Sequence, residues 1–374
     1  MIYDLFVRRG LIDLGEDIVN TAYSSEIENT SEQQIEKAEE SLFALADSDK
    51  ESDFTPLSNV IAPVFADARK ALDRRRRGLP NGVQTGFADL DAMIGGFEPG
   101  QFILLPGNSS MGKTTVALNI AYNVASSHLG MQSADDRKAQ RGNVAIISLE
   151  TSGPALLRQN LQARVTGISG QRLRTGDVTE EEIDKAERLC NERLAPLPIT
   201  IMDSIPTVGI IRSKLRRLKR KHGLALVIVD YLQLIRSTGK KENLYHKVTE
   251  ISAGLKAIAK DLQVPLIALS QLSRENSRRD DKRPQMSDLR DSGALEENAD
   301  VIIFVYRENY YLTRNKPAAD ASQAEHMEWV RKCEATEHQL ELILGKQRQG
   351  PTGTVNLYYD QSTALVANAE RGDF

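Results

Sequence analysis

The chain has 374 residues, of which 40% are hydrophobic and 27% charged, the size and balance of a globular protein of about two to three domains. No run of eighteen apolar residues and no signal-like start occurs, so no membrane partner is expected and a cytoplasmic location is. The net charge of −4 hides an asymmetry: residues 1–60 hold 14 acidic and 4 basic side chains, a net of −10, leaving +6 for the remaining 314 and excluding nothing about anionic partners.

The first 48 residues read as two amphipathic helices, with Leu11, Leu14, Ile18 and Ala22 on one and Ile35, Ala38, Leu42 and Ala46 on the other. Two helices alone cannot bury both apolar faces, so a partner or a further segment is expected against them. Residues 47–55 (DSDKESDFT) read as a flexible link. A helix over Leu57–Arg76 follows and ends in the basic run Arg74 to Arg77, with Gly78 and Pro80 as stop signals. Both a solvated run that complements the helix dipole and a DNA-contacting run fit that pattern.

From position 81 the pattern becomes strand alternating with helix. Apolar runs at Phe102–Leu105, Val144–Leu149, Leu226–Val229, Pro265–Leu269 and Val301–Val305 predict buried parallel strands, hence an α/β domain with a mainly parallel central sheet. Strands near 339–344 and 353–359 predict an antiparallel hairpin at its edge. Along the helix from 244, Leu244, Val248, Ile251, Leu255, Ile258 and Leu262 mark a core-facing stripe; in RSKLRRLKRKHG, Leu215 and Leu218 mark an inward face opposite solvated cations. Cys190 and Cys333 lack any CxxC or Cys/His spacing, which excludes a disulfide framework or zinc site as an expectation.

A buried strand runs into Gly107, Asn108, Ser109, Ser110, Met111, Gly112, Lys113, Thr114 and Thr115, and then into a helix with apolar Val116, Ile120 and Val124. Glycine lets the backbone curl around phosphate, successive N–H groups point at the anion, and the helix adds its positive end. The loop is therefore expected to bind ATP, with Lys113 on the β and γ phosphates and the Thr114 hydroxyl on Mg²⁺. Asp230, after four apolar residues in LALVIVD, suits the second carboxylate on the metal side. Glu150 ends the run Val144–Leu149 and so falls at the same sheet edge, where it suits the base for the attacking water. Gln271 ends Val264–Ser270 and suits a γ-phosphate sensor.

In LILGKQRQGPTG, Lys346 and Arg348 are two apart and share a face if the stretch stays extended, a pair suited to serve a neighbouring subunit's ATP. Residues 273–293 hold six basic and five acidic side chains with almost no apolar content, so no core role is expected. Following directly on Gln271, the segment fits a translocating loop with Arg290 and the backbone near Gly293 as phosphate clamps; a mobile loop of mutually paired charges fits equally. It lacks aromatics, so phosphate contact rather than base stacking is expected there.

These segments, with SLETS around Glu150, IALSQLSR, RPQMSDLRDSGALEENADVIIFVYR and GKQRQGPTG, closely resemble the DnaB family of replicative helicases over nearly the whole chain. The resemblance implies a RecA-like P-loop ATPase over 81–374, a linker and linker helix over 49–80, and a helical hairpin over 1–48 left from an N-terminal domain whose globular head is lacking. It further implies a homohexameric ring with ATP between subunits, moving 5′ to 3′ on single-stranded DNA and opening forked DNA, with primase and a helicase loader as partners. Lys346 and Arg348 are then implied to act in trans, and Arg290, Asp291 and Gly293 to lie in the DNA-binding loop. The family's phosphate loop usually reads GRPSMGKT; here Asn108 and Ser109 stand in place of its Arg and Pro. A RecA-like recombinase and a nucleotide-binding loader or scaffold are the rival expectations; the linker helix and GKQRQGPTG disfavour the first, Glu150 the second.

Overall fold

The structure is a computed structural model that describes residues 2–23, 31, 34–35, 37–38, 41–42, 56–78, 80–127, 142–237, 244–272, 279–318, 320–348 and 350–369. The backbone divides into two compact units, 1–79 with 209–214, and 80–208 with 215–374. In the first, the helix Ile2–Tyr23 and helical positions within 31–42 enclose an apolar groove lined by Leu14, Ile18, Ala22, Ile35 and Ala38. Leu42 is exposed, while Ala46 and the link 47–55 lie outside the described residues. The helix Leu57–Arg76 buries no residue, and Val64 and Phe65 stand 56% and 60% exposed. Among the described residues no helix is long and apolar enough to cross a membrane.

The second unit is built on one nine-stranded sheet. Its strands are β1 (Phe102–Gly107), β2 (Asn143–Ser148), β3 (Ile199–Met202), β4 (Leu224–Asp230), β5 (Leu266–Gln271), β6 (Val301–Tyr306), β7 (Gln339–Gln347), β8 (Gly353–Asp360) and β9 (Leu365–Asn368). They lie in the order β3-β2-β4-β5-β1-β6-β7-β8-β9, parallel from β3 to β6 and antiparallel from there on. Every residue of β1 and β6 is buried, as strands covered by helices on both faces must be. The helix Lys113–Ser127 contributes Val116, Leu118, Ile120 and Val124 to that core, each worth about 1.5–3 kcal/mol when fully buried. Val248, Ile251, Leu255, Ile258 and Leu262 of the helix Leu244–Leu262 are buried as their spacing predicts; the Leu244 side chain lies outside the described residues.

Two edges differ from the sequence expectation. The β7–β8 hairpin is not the sheet's edge, because Asp360 accepts from the Ser362 and Thr363 hydroxyls and turns the chain into β9, which pairs with β8. At the opposite edge β3 is only four residues long and nowhere fully buried, so it offered no apolar run to read.

The phosphate-loop helix is fastened to its neighbours by a half-buried arginine without a carboxylate. Arg164, at the end of a helical run over 153–166 that contains the π-turn Leu157–Leu161, donates to Asn119 Oδ1 and, at 3.0 Å, to Asn123 Oδ1. Its guanidinium lies 4.3 Å from the Tyr122 ring centroid, and burial holds its pKa below the usual value. Asn119 in turn donates to Ala364 O at 2.9 Å and accepts from Val366 N, while Asn123 donates to Thr85 O at 2.9 Å. Arg164→Ala strands the Asn123 amide oxygen, takes one of two donors from Asn119 Oδ1 and uncovers Tyr122, and is expected to cost about 2–3 kcal/mol in urea denaturation, whereas exposed Arg220→Ala should cost under about 0.5 kcal/mol. Equal costs for the two variants would show that Arg164 bears no such weight.

Candidate active site

Register places the chemistry. Gly107 at the end of β1 lies opposite Gln271 at the end of β5, and Ser148 of β2 lies opposite Asp230 of β4. Leu149 N donates to Asp230 O at 2.7 Å, which carries the chain past β2 and sets Glu150 in the bend beyond it. All four strands therefore end on one edge of the sheet, where a cleft of about 430 Å³ opens. Ser109, Ser110, Gly112, Lys113, Thr114, Thr115, Glu150, Asp230 and Gln271 all line it.

The loop's shape follows from its residues. Gly112 sits at φ +92°, in the left-handed region that disfavours a Cβ, and a Cβ on Gly107 would meet Val305 O at 3.1 Å. Met111 turns its side chain into the core at 1% exposure, so only its backbone faces the loop. Lys113 Nζ donates to two carbonyls of the loop itself, Gly107 O at 2.7 Å and Asn108 O at 2.9 Å. Burial lowers its pKa to about 8, against the upward pull of Asp230 and Glu150. The Thr114 hydroxyl donates to Asp230 Oδ2 at 2.7 Å. Burial raises the Asp230 pKa and the nearby Glu150 charge adds to the rise, while Thr114 and Lys113 oppose it. The hydroxyl and carboxylate form a hard oxygen pair beside the phosphate loop, a donor set that fits Mg²⁺. Thr115 continues the chain of contacts, its hydroxyl donating at 3.3 Å to Asn160 Oδ1 in the π-turn.

Several further residues line the cleft without following from a local apolar run. Arg307 follows β6, is 5% exposed, and lies with its guanidinium 4.2 Å from the Tyr359 ring centroid. It donates to Gln361 Oε1 at 3.3 Å, while its Nε is buried without a partner. Arg307 closes the segment RPQMSDLRDSGALEENADVIIFVYR just past β6, while Tyr359 and Gln361 lie at the end of β8; the fold brings them together at the cleft.

Lys346 and Arg348 are not in that cleft. β7 ends at Gln347, so the two side chains do not continue along one strand face as the spacing suggested. Lys346 Nζ donates to Glu296 O at 2.5 Å, near the carboxyl end of the helix Gly293–Asn298, and Arg348 Nε pairs with Asp300 Oδ1 at 3.2 Å. Val301 opposes Gln347 while Tyr306 opposes Glu341, so the pair stands at the amino end of β6, the edge away from the cleft. Five strand residues separate the two ends, on the order of 16 Å.

The segment expected to be wholly outside the core is partly tucked in. Within the described residues 279–293, Asp288 and Leu289 are 6% and 3% exposed, held in the 3₁₀ stretch Met286–Ser292. Arg279 donates to Asp288 Oδ2 at 2.7 Å, and Arg283 makes two 2.8 Å bonds to Glu341, so these charges are paired within the protein. Arg290 and Asp291 lie in the same stretch and Gly293 starts the following helix; the side chains of Arg290 and Asp291 lie outside the described residues.

Residues 82–368 match the family described as DnaB-like helicase C terminal domain. The chain is 40% identical over 377 residues to the replicative DNA helicase DnaB of Rickettsia typhi, covering 100% of this chain and 74% of that protein. To the replicative DNA helicase DnaC of Bacillus subtilis it is 37% identical over 370 residues, covering 98% and 73%. Its fold is similar to a solved ATPase domain, with a TM-score of 0.69 at 31% identity over 84% of this chain and 99% of that one. A DnaB-like replicative helicase studied with its interactions with primase gives a TM-score of 0.72 at 30% identity over 98% and 76%. With a phosphate loop, carboxylates and amide converging on one sheet edge and a family match over 82–368, the chain belongs to the DnaB-like helicases.

Proposed function

We propose that the chain is the motor of a replicative DNA helicase, hydrolysing ATP in this cleft and moving 5′ to 3′ on single-stranded DNA as a homohexameric ring. The observation that carries the reading is the convergence of Lys113, Thr114, Asp230, Glu150 and Gln271 on one cleft while Lys346 and Arg348 stand at the opposite end of the sheet. A pair so placed cannot reach its own cleft, which supports service to a neighbour's ATP. In the same reading 81–374 is the motor domain, 49–80 the linker, and the helices of 1–48 the face offered to neighbours or primase.

Each residue has a task that its surroundings fit. Lys113 exchanges the carbonyls of Gly107 and Asn108 for phosphate oxygens, a better partner for a cation. Mg²⁺, held from Thr114 and Asp230, would neutralise charge on the β and γ phosphates. Glu150, exposed to the cleft, takes the proton of the attacking water, and the Gln271 amide reads the γ-phosphate from the end of β5. Arg307 and Tyr359 present a flat guanidinium and ring with one unfilled donor, suited to a purine base. Arg290, Asp291 and Gly293 meet the DNA backbone.

The helicase activity is tested by strand displacement on forked DNA with ATP, alongside a mass measurement; a confirmed hexamer that does not unwind defeats it. Glu150→Gln is expected to lower turnover by roughly 10²–10⁴-fold with binding of a non-hydrolysable analogue unchanged, and wild-type hydrolysis in that variant removes Glu150 as the base. Arg348→Ala subunits mixed into wild-type rings should depress ATPase more steeply than their share; a strictly proportional fall argues against a finger in trans. Because Lys113 titrates near 8 in the free protein and phosphate holds its proton, analogue affinity is full below about pH 8 and falls by up to about tenfold per unit above it. Calorimetry should accordingly record proton uptake on binding at about pH 9, and a flat affinity profile with no uptake would contradict the assignment.

A further inference from the structure

Asn108, one of the two positions at which the phosphate loop departs from GRPSMGKT, faces two ways. Its backbone carbonyl accepts from the Lys113 ammonium at 2.9 Å. Its side chain donates Nδ2–H to the hydroxyl of Tyr311 at 2.8 Å, across 203 residues of sequence. Tyr311 lies in the short helix Glu308–Leu312 that follows β6, and is not among the residues lining the cleft. Its ring stacks on Tyr306, with centroids 6.0 Å apart and planes at 27°, and meets Tyr310 edge-on at 5.3 Å.

The far side of this aromatic group is covered by the segment that leads to Arg290. Lys282 Nζ stands 5.5 Å from the Tyr311 ring centroid, and the Arg283 guanidinium 5.2 Å from that of Tyr306. Two carboxylates fix the first part of the segment: Glu341 takes Arg283 by both 2.8 Å bonds, and Asp288 takes Arg279 Nη2 at 2.7 Å and Gln285 N at 2.8 Å. From the 3₁₀ stretch Met286–Ser292 the chain passes into the helix starting at Gly293. A set of contacts thus runs from the phosphate loop through one hydroxyl to Lys282 and Arg283, at the start of the segment that leads to Arg290.

We propose that Tyr311 is a positioning residue which, through its bond to Asn108, passes the state of the phosphate loop to segment 282–293 and so couples nucleotide binding to DNA binding. The coupling has a discrete origin in two states of one lysine. Without nucleotide, the Lys113 ammonium draws the carbonyls of Gly107 and Asn108 inward; once it turns to phosphate, the Asn108 peptide is released and its side-chain amide carries the shift to Tyr311. The inference rests on the proposed role of Arg290 in binding DNA, and the experiment keeps the two apart.

The test is the affinity of the full-length protein for a labelled oligothymidylate, measured with and without a non-hydrolysable ATP analogue, in wild type, Tyr311→Phe, Asn108→Ala, the double variant and Arg290→Ala. Tyr311→Phe keeps the ring, its stacking and its cover, and should lower the unfolding temperature by no more than about 3 °C, the loss of one hydrogen bond. Its DNA affinity without nucleotide should stay within about twofold, while the ratio of affinities with and without analogue should fall by about fivefold, the loss of one hydrogen bond's worth of coupling. In the Asn108→Ala background Tyr311→Phe should cause no further loss of coupling, because the bond its hydroxyl makes to Asn108 is already gone. A wild-type protein whose DNA affinity ignores the analogue, or a Tyr311→Phe protein with the wild-type ratio, overturns the proposal. Equal loss of DNA affinity in both nucleotide states of Tyr311→Phe would also overturn it, showing a merely structural role. Arg290→Ala should weaken DNA binding in both states; unchanged binding there refutes the DNA-loop reading separately, with the Tyr311→Phe ratio still judging the coupling.

Discussion

Parallel pairing in register, β1 against β5 and β2 against β4, is what turns scattered residues into a site. Strands that run the same way finish on the same edge, and finishing level brings the residue after each one within reach of its neighbours. Gly107 opposite Gln271 and Ser148 opposite Asp230 fix the loop, the Gln271 amide and the Asp230 carboxylate without any of them being neighbours in sequence. A slip of one residue in either pairing would turn Asp230 or Gln271 to the other face of the sheet. The apolar strands are thus selected for register as much as for burial.

Electrostatics completes what register begins. Lys113 and Asp230 are each buried enough to disfavour their charged forms, and each also lowers that cost for the other. Lys113 meanwhile rests on carbonyl oxygens that are weaker partners than a phosphate. The resting arrangement is therefore satisfied and exchangeable at once. Around it, the uncharged partners of Arg164 keep the phosphate-loop helix fixed without adding a carboxylate that would compete for the lysine or the metal.

How much of this was legible depends on whether a residue's role is local. The phosphate loop, Asp230, Glu150 and Gln271 each follow an apolar run, so counting to the end of a strand finds them. β3 and β9 are short and partly exposed, and leave no such run. Arg307 and Tyr359 meet only because β6 and β8 are both laid beside β7, a relation that no spacing encodes. For Lys346 and Arg348 the alternation rule pointed to a shared face, and β7 ends at Gln347 between them, with Lys346 on Glu296 O and Arg348 on Asp300. The acidic and basic run at 279–293 looked too polar for burial, yet Asp288 is tucked in because Arg279 and the Gln285 amide satisfy it. Polar content alone says little about exposure when each charge brings its own partner.

Asp300 gives the opposite edge of the sheet its meaning. This one carboxylate, 7% exposed, accepts from Phe102 N at the start of β1, from Lys256, and from Arg348. The strand that ends at Gly107 therefore begins on the anchor of Arg348, the cation that the proposed function assigns to a neighbouring subunit. A subunit with a receptor at one pole and a donor at the other is a directional building block, and copies of it add head to tail rather than face to face. Such a block has no size limit written into its contacts; only the angle between successive copies decides whether the row closes or keeps growing. Under the proposed function the number of active sites would be a property of curvature, and a lone subunit would own two halves of different sites and not one whole.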